Sequence, residues 1–346
     1  MTKDRIGRPV TSVDVARLAG VSRSAVSRTF TSGASVAPAT REKVMRAAKE
    51  LGYRVNFLAR DLSRQRSDLV GLVVSDMDHS FRARLVDELS RRLVSLGYRP
   101  FLLPTGPGED VSRLTDMMLH YKVAGAIVTS DTPPAEIAQE CAAHGVPLVL
   151  VNKPDVGVNV ARILMDTEKA GRLAAEALHA VGCRRIGIAS QTRPSYSIGL
   201  RKHAFIDHCG RLGLEIVADF RGSAHNYTGG TEAGKDFLAS GIGVEAVYCV
   251  NDYLALGFLD HVRHKGGMRV PEDIKVIACD DIAEAGWLSY DLTTVRQDSG
   301  TMAEAAVNAL LRRLDQPEDK PGTDMVDVSL VWRGSTGKRP DGFQPT

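Results

Sequence analysis

The sequence lacks the short motifs that commonly mark an enzyme. Its 346 residues contain no Gly-x-Ser-x-Gly elbow, no His-Glu-x-x-His pair and no glycine-rich phosphate loop. Asp280 and Asp281 are adjacent, so on a strand their side chains would point to opposite faces, unlike a paired acid and base. The glycines at 229–230 and 241–243 are typical of loops and helix ends. These absences argue against an enzyme.

Cysteine is scarce, and no two cysteines have ligand spacing. The sequence has five of them, at Cys141, Cys183, Cys209, Cys249 and Cys279. This scatter predicts buried, reduced thiols and no metal site. The first residues include no apolar stretch typical of a signal peptide, and no segment is as long and apolar as a membrane span. We therefore expect a cytoplasmic protein that binds no membrane and no cofactor.

Net charge is also small, at +2, but its distribution is uneven. Residues 1–68 contain fourteen Lys and Arg and six Asp and Glu, a surplus of eight, whereas the remainder contains thirty and thirty-six. A basic head on an acidic body is expected of a polyanion-binding domain attached to a body that does not itself bind DNA.

The basic head has the pattern of three short helices, at residues 11–20, 22–30 and 40–52. Thr11 and Asp14 have the spacing of a capping box, and Gly20 suits the left-handed position that ends a helix. Ser22 is a good N-cap for the second helix. This helix-turn-helix pattern predicts a domain that places its second helix in the major groove of DNA.

The second helix has small and cationic side chains suited to base contacts. Arg23 and Arg28 can each form a bidentate contact with guanine, whereas Ser24 is less discriminating. The alternative is a solvated basic face, which would be the better interpretation of a basic helix found alone. The capped helix and glycine turn that precede it favour DNA binding. The predicted contacts on this helix and its cap are Ser22, Arg23, Ser24, Ser27 and Arg28.

Residues 63–68 are polar and have the character of a linker. After them, short apolar runs alternate with amphipathic stretches. Seven runs have the length and composition of buried parallel strands, at residues 69–74, 100–103, 124–128, 148–151, 185–189, 246–250 and 275–279. Helical stretches at 82–96 and 167–181 lie between them. The repeated βα pattern predicts doubly wound parallel sheets, and its restart near Ala170 predicts two lobes with a ligand cleft between them.

Polar residues follow several of these runs. Taken singly, a carboxylate after a strand is more often a helix N-cap than a ligand contact. Several such groups meeting at one rim favour recognition of a small molecule. The predicted ligand contacts at the strand ends are Asp78, Arg82, Asp131, Lys153, Asp252 and Asp280.

The head resembles that of the lactose-repressor and purine-repressor family. The resemblance rests on residues 10–28, on Thr40-Arg-Glu-Lys-Val44 and Glu50-Leu-Gly-Tyr53, and on Asn56-Phe-Leu-Ala-Arg-Asp-Leu62. It implies that Thr11 and the second helix contact DNA. It also implies that residues 56–62 form a hinge helix, with Asn56 as a DNA contact, Ala59 at the minor groove and Leu62 as a wedge between bases. Ala37 departs from the family, which often has a capping Ser there.

The remainder resembles the family's effector-binding core, which is itself similar to periplasmic sugar-binding proteins. The resemblance implies that Phe81 and Arg82 face the ligand, that Arg201 anchors it, and that Asp252 supplies a carboxylate acceptor. Hydroxyls both donate and accept hydrogen bonds, so this donor and acceptor pair suits a sugar. Arg82 replaces a common aromatic, and with Lys153 and Arg201 it favours a sugar acid or a sugar phosphate.

These inferences divide the chain into a helix-turn-helix domain at 1–55, a hinge and linker at 56–68, and a core at 69–340. The core would comprise an N-lobe at about 69–165 plus 298–325 and a C-lobe at about 166–297 plus 326–340. We expect a homodimeric regulator, a repressor that binds a near-palindromic double-stranded operator under control of a small-molecule effector. A solute-binding receptor or a sugar-modifying enzyme with the same core is the alternative. The sequence leaves open whether effector releases the operator or promotes its binding.

Overall fold

The computed structural model describes residues 10–30, 34–54, 67–106, 111–130, 134–158 and 160–345. The chain divides into two compact units, Met1–Ser67 and Asp68–Thr346. Within the described ranges, no helix combines the length and apolar character needed to cross a membrane. The first unit is helical, and the second contains two β-sheets with helices packed on them.

The first helix has the predicted start and end. Helix α1, Ser12–Ala19, begins after Thr11, whose amide and hydroxyl donate to the Asp14 carboxylate at 3.0 and 2.7 Å. Gly20 ends it at φ 65°, a left-handed conformation that costs glycine little. Because the carboxylate holds both groups of Thr11, the entry to α1 is fixed.

The next two helices complete the head. Helix α2 spans Arg23–Thr29, and Ser22 caps it by accepting from the Ala25 amide at 3.2 Å. Helix α3 spans Pro38–Leu51 and begins two residues before the predicted start, because Pro38 suits the first turn. The three helices bury a small apolar core whose fully enclosed members are Val15, Val26 and Val44.

The second unit contains two six-stranded sheets. In the first sheet the strand order is β11-β5-β4-β3-β1-β2, and all of its pairings are parallel. Its strands are β1 Leu69–Val74, β2 Arg99–Pro104, β3 Gly125–Val128, β4 Leu148–Val151, β5 Ala161–Met165 and β11 Thr323–Val326. Its helices are α4 Ser80–Ser95, α5 Val111–His120, α6 Pro134–Ala143 and α11 Ser299–Asp315. We call this sheet and its helices the N-lobe.

The second sheet has the order β12-β10-β9-β8-β6-β7 and is parallel except for the antiparallel pair β10 and β12. Its strands are β6 Arg185–Gln191, β7 Glu215–Gly222, β8 Ala246–Cys249, β9 Lys275–Asp280, β10 Thr293–Gln297 and β12 Val328–Val331. Its α-helices are α7 Thr167–Ala180, α8 Tyr196–Arg211, α9 Tyr227–Ser240 and α10 Asp252–His264. We call this sheet and its helices the C-lobe.

All seven predicted strands are present, which confirms the two-sheet α/β architecture. Central strands such as β3 and β4 are buried along their whole length, because helices cover both faces of a parallel sheet. The five cysteines are free and buried, as predicted. Burial raises the pKa of the Cys141 and Cys209 thiols to about 12 and so keeps them protonated.

The chain crosses between the lobes three times, each time through a very short connection. An aspartate lies at each crossing: Asp166 after β5, Asp298 after β10, and Asp327 between β11 and β12. Asp166 and Asp298 cap α7 and α11 by accepting from backbone amides at 2.9 to 3.3 Å. These three connections restrict the lobes to movement about a common hinge.

Helices α9 and α10 approach each other through two glycines, which gives a first prediction. A β-carbon on Gly257 would overlap the Tyr227 carbonyl oxygen, and one on Gly230 would overlap that of Leu254. We expect Gly257→Ala to lower the free energy of unfolding by roughly 1–3 kcal/mol, because backbone cannot yield as a side chain can. Urea unfolding followed by circular dichroism measures this change.

Gly210→Ala is the matched control, since Gly210 also lies in a helix but has nothing within 4 Å of the added carbon. There we expect a gain of up to about 1 kcal/mol from helix propensity. Equal effects of the two substitutions would show that the α9 and α10 contact is not close.

Candidate functional site

One face of α2 presents polar and cationic side chains. Val26 and Thr29 are buried against the head core, and the Thr29 carbonyl accepts from Arg41 of α3 at 3.1 Å. This contact fixes the end of α2. The opposite face carries the predicted DNA contacts, all of them exposed: Ser22, Arg23, Ser24, Ser27 and Arg28.

The exposed side chains of α2 differ in how firmly they are held. The Ser22 and Ser24 hydroxyls lie 2.8 Å apart, and Arg28 Nε lies 3.4 Å from the Ser24 carbonyl oxygen, so that interaction is weak. The planar guanidinium of Arg28 can therefore turn toward a base edge. Half-buried Thr11 instead donates to Asp14. The predicted contacts Asn56, Ala59 and Leu62 lie outside the described residues.

A cleft of about 530 Å³, including the solvent at its mouth, opens between the two lobes at the carboxyl ends of their strands. Five predicted effector contacts line it: Phe81, Arg82, Lys153, Arg201 and Asp280. Its other lining residues are His79, Leu85, Thr129, Val151, Asn152, Ser195, Ser197, Ile198, His225, Asn251 and Gln297. Asp131 lies outside the described residues. The structure thus brings together residues far apart in sequence at one edge.

A buried ion pair forms the floor of the cleft. Arg201, which is 3 % exposed, donates to the Asp280 carboxylate at 2.8 Å and to the Val250 carbonyl at 3.2 Å. The Gln297 amide donates to the same carboxylate oxygen at 2.6 Å. Asp280 ends β9 at φ 145°, so its backbone turns sharply into the next loop. Arg201 Nε lies within the fold with no hydrogen-bond partner among the described residues.

Apolar side chains line part of the same cleft, namely Phe81, Leu85, Val151 and Ile198. A lining that combines apolar side chains with buried polar groups suits a molecule that has both hydrocarbon and hydroxyl groups.

The cleft is less basic than the sequence suggests. Arg82 donates to the Ser75 hydroxyl at 2.7 Å and to the Asp76 carboxylate at 2.5 Å, and Arg201 is paired with Asp280. Both arginine charges are therefore balanced. Lys153, which is 5 % exposed, is the third predicted cation on the lining.

Two of the predicted effector contacts do not line the cleft. Asp78 is exposed at the end of the loop after β1. Asp252 is fully buried, and its two carboxylate oxygens accept from the Thr294 hydroxyl at 2.5 Å and the Ile282 amide at 3.0 Å. The structure thus corrects the prediction for Asp252, because its carboxylate is occupied inside the fold.

The predicted alternative, that Asp252 caps its helix, is not what the structure shows either. Asn251 caps α10 by accepting from the Leu254 amide at 3.2 Å, and Asn251 itself lines the cleft. Asn251 therefore both caps α10 and lines the cleft, and it directly precedes Asp252, the residue predicted from the sequence.

Asp252 provides a second prediction. Burial, reinforced by the nearby Asp280 carboxylate, raises the pKa of Asp252 from 3.8 to about 8. A raised pKa gives stability that is fully present below 3.8 and is lost as the pH rises through 8. We expect Asp252→Asn to leave effector affinity unchanged and to unfold at higher urea concentration than the unsubstituted protein at pH 9.

Measurements of Asp252→Asn at pH 5 and pH 9 separate titration from a general change in packing. If Asp252→Asn lost effector affinity and its unfolding curve were unchanged, Asp252 would be shown to contact the effector.

Several residues that line the cleft were not among the contacts predicted from the sequence. Gln297 is the last residue of β10, a strand that was not predicted because it is rich in threonine and arginine and not in apolar residues. His79 precedes α4, whose predicted start was Arg82 rather than Ser80. Asn152 and Asn251 each directly follow a predicted strand, so position alone could have identified them. Among the described residues, no group of three His, Cys, Asp or Glu side chains could hold a metal ion.

Comparison with known proteins gives two family matches. Residues 12–56 match "Bacterial regulatory proteins, lacI family", and residues 160–336 match "Periplasmic binding protein-like domain". The chain is 31 % identical over 340 residues to the HTH-type transcriptional regulator MalR of Streptomyces coelicolor, covering 94 % of this chain and 96 % of that one.

Two solved structures are similar along nearly the whole chain. The lac repressor dimer bound to operator and the anti-inducer ONPF has a TM-score of 0.86 and 28 % identity, covering 96 % of this chain and 100 % of that one. A complex of the transcriptional regulator CelR with cellobiose has a TM-score of 0.70 and 29 % identity, with 95 % and 100 % covered.

Proposed function

The chain belongs to the lacI family of bacterial regulatory proteins, and we propose that it is a repressor whose operator affinity is set by a sugar or sugar derivative in the interlobe cleft. Members of this family regulate transcription by binding DNA and are not enzymes. The relatives match over nearly their full length, head and core together. They support the regulator and not a solute receptor or a sugar-modifying enzyme.

The exposed face of α2 supports operator recognition. Arg23 and Arg28 are the side chains suited to guanine, and Ser22, Ser24 and Ser27 add hydrogen-bonding groups on the same face. Two heads of a homodimer would read two half-sites about one helical turn, or a multiple of it, apart on a near-palindromic operator. Thr11, just before α1, would make a further contact with the DNA. We place this DNA binding in the cytoplasm.

The hinge completes the proposed DNA contact. We place the head at 1–55, the hinge and linker at 56–68 and the core at 69–340. In the hinge, Asn56 would contact the DNA, Ala59 would meet the minor groove, and Leu62 would insert between bases and kink the duplex.

The cleft geometry supports a sugar effector. Its lining offers a donor from Arg201, an acceptor from Asp280 and the aromatic ring of Phe81. A sugar ring presents hydroxyls to such polar groups and a C–H face to an aromatic side chain. Because both cleft arginines are charge-balanced, we favour a neutral sugar, with Lys153 as the contact for any acidic substituent.

Closure of the lobes on the effector would provide the control. Three short connections join the lobes, so a ligand that contacts both of them changes the angle at the hinge between them. In a dimer this movement would alter the separation of the two linkers. It would thereby change how readily the hinge helix at residues 56–62 orders on DNA.

A thermal-shift screen followed by operator titration tests this function. We would screen ribose, lactose, cellobiose, gluconate and glucose 6-phosphate, because a ligand at a hundred times its Kd adds about 2.7 kcal/mol of stability. The expected result is a hit that also changes operator affinity in a gel-shift assay. A ligand that stabilises the protein but leaves operator affinity unchanged would contradict the proposal.

A further inference from the structure

The orientation of the Asn251 side chain is fixed on two sides. Its Oδ1 accepts from the Leu254 amide at 3.2 Å, and its Nδ2 donates to the His225 carbonyl at 2.9 Å. Reversing the amide would remove the cap of α10 and place two oxygens together. The same Nδ2 lies 3.1 Å from Nε2 of His79 in the opposite lobe. The amide therefore presents a donor to His79.

This geometry determines which nitrogen of His79 carries the proton. An imidazole nitrogen that faces a donor must accept, so Nε2 is unprotonated. A neutral ring then carries its hydrogen on Nδ1. Burial lowers the pKa of His79 below its ordinary 6.5, with Asp280 opposing and Arg82, His225 and Arg201 reinforcing the effect, which keeps the ring neutral at physiological pH. Tautomers assigned in this way follow from the hydrogen-bond network.

The protonated nitrogen has no hydrogen-bond partner among the described residues. His79 is 5 % exposed and lines the cleft, and its Nδ1 makes no hydrogen bond to any described residue. Its position is set by an edge contact with Tyr253 at 5.2 Å and by the next residue, Ser80, which donates to Glu284 of the C-lobe at 2.6 Å. A buried donor without an acceptor is costly, so the site favours a ligand that supplies one.

We propose that His79 is the N-lobe specificity residue of the effector site, held by Asn251 as the Nδ1–H tautomer so that it donates to an oxygen of the effector. This inference rests on the proposed function of the cleft. The C-lobe provides a matching donor in Arg201 Nε, which has no hydrogen-bond partner within the described ranges. An effector with two acceptor oxygens, such as ring and hydroxyl oxygens of a sugar, would bind both donors and bridge the lobes.

Protonation of His79 would disrupt this arrangement. A charged ring places a second hydrogen on Nε2, against the Asn251 donor, and loosens the link between the lobes. The charged and titratable groups near the ring are Arg82 on α4, Arg201 on α8, His225 before α9, Tyr253 on α10 and Asp280 on β9. Because the pKa is lowered on folding, the stability contributed is present above pH 6.5 and is lost as the pH falls toward the folded value.

Nitrogen NMR of the full-length protein, labelled with ¹⁵N in histidine, tests the tautomer directly. We expect His79 at pH 7.5 to show a protonated Nδ1 and an unprotonated Nε2, with His79→Phe supplying the assignment. The ring should stay largely neutral at pH 6.5, the ordinary pKa of a histidine, because burial lowers the pKa of His79. A hydrogen on Nε2, or a charged His79 at pH 7.5, would overturn the proposal whatever ligand binds.

Calorimetry with ribose, lactose, cellobiose, gluconate and glucose 6-phosphate tests the contact. For the compound that binds, His79→Phe should weaken binding roughly tenfold or more at pH 7.5 and abolish the loss of affinity at acid pH, whereas His144→Phe should do neither. Unchanged affinity in His79→Phe would overturn the contact. If no compound binds the unsubstituted protein, the sugar proposal fails, and the observed tautomer alone decides for or against His79.

Discussion

Arg201→Met is expected to abolish the response to effector and to lower the free energy of unfolding by about 3–5 kcal/mol, because it leaves the Asp280 carboxylate buried without its charge partner. Methionine keeps most of the packing volume but donates no hydrogen bond. The variant should bind operator with nearly the affinity of the unsubstituted protein, since the head is untouched. Urea unfolding and operator titration with and without effector measure the two effects.

A double substitution separates effector binding from stability. In Arg201→Met with Asp280→Asn the uncompensated charge is gone, so most of the lost stability should return, while effector binding should stay absent. A double variant that regains stability and also binds effector would show that the buried pair serves only the fold.

Arg28→Ala should weaken operator binding by about 1–3 kcal/mol per half-site and remove the preference at one base pair in each. The loss follows from the exposed guanidinium on the outer face of α2, whose own contact with Ser24 is long and weak. Binding to random DNA should change little. Fluorescence anisotropy with operator, single-base variants and random duplex, all at one salt concentration, measures the effect.

Arg17→Ala is the control for charge alone. Arg17 lies on α1, is largely exposed and is 3.7 Å from Asp14, so its loss removes the same charge without removing a predicted base contact. It should reduce operator and random binding equally and slightly. An equal reduction in Arg28→Ala would show that Arg28 contacts phosphate instead of a base.

The head was predictable from sequence because its structure is determined locally. The Thr11 and Asp14 pair, Gly20 and Ser22 each define a helix end within a few residues, and the structure has them in those roles. The helical pattern at residues 40–52 placed the start of α3 two residues too late, although Pro38 is suited to the first helical position.

In the core, seven strands were predictable, namely the buried central strands and the edge strand β2, and the other five described strands were not. Strands such as β3 and β4 are continuous apolar runs, since both faces are covered. Strand β5 alternates between buried and half-buried residues, and β7 and β11 are edge strands with polar side chains. Their place depends on neighbours distant in sequence, which no local pattern records.

The cleft was predicted in its position and in most of its charged residues, but not in its hydrogen bonds. Sequence could not decide between Asn251 and Asp252, because which of two adjacent residues points into the cleft depends on the turn between β8 and α10. Likewise, the pairing of Arg82 with Asp76 removes a charge that the sequence assigned to the ligand.

The three crossings of the chain between the lobes also constrain how the protein is made. Helix α11 and strand β11 belong to the N-lobe but follow nearly the whole C-lobe in sequence. At about 5–20 residues per second, the ribosome needs roughly 8–30 s to pass from the end of β5 to the end of β11. Until then the apolar surface that Val307 and Leu310 will cover is exposed. A nascent chain that stops near residue 295 therefore has no complete N-lobe and is a substrate for chaperones and proteases.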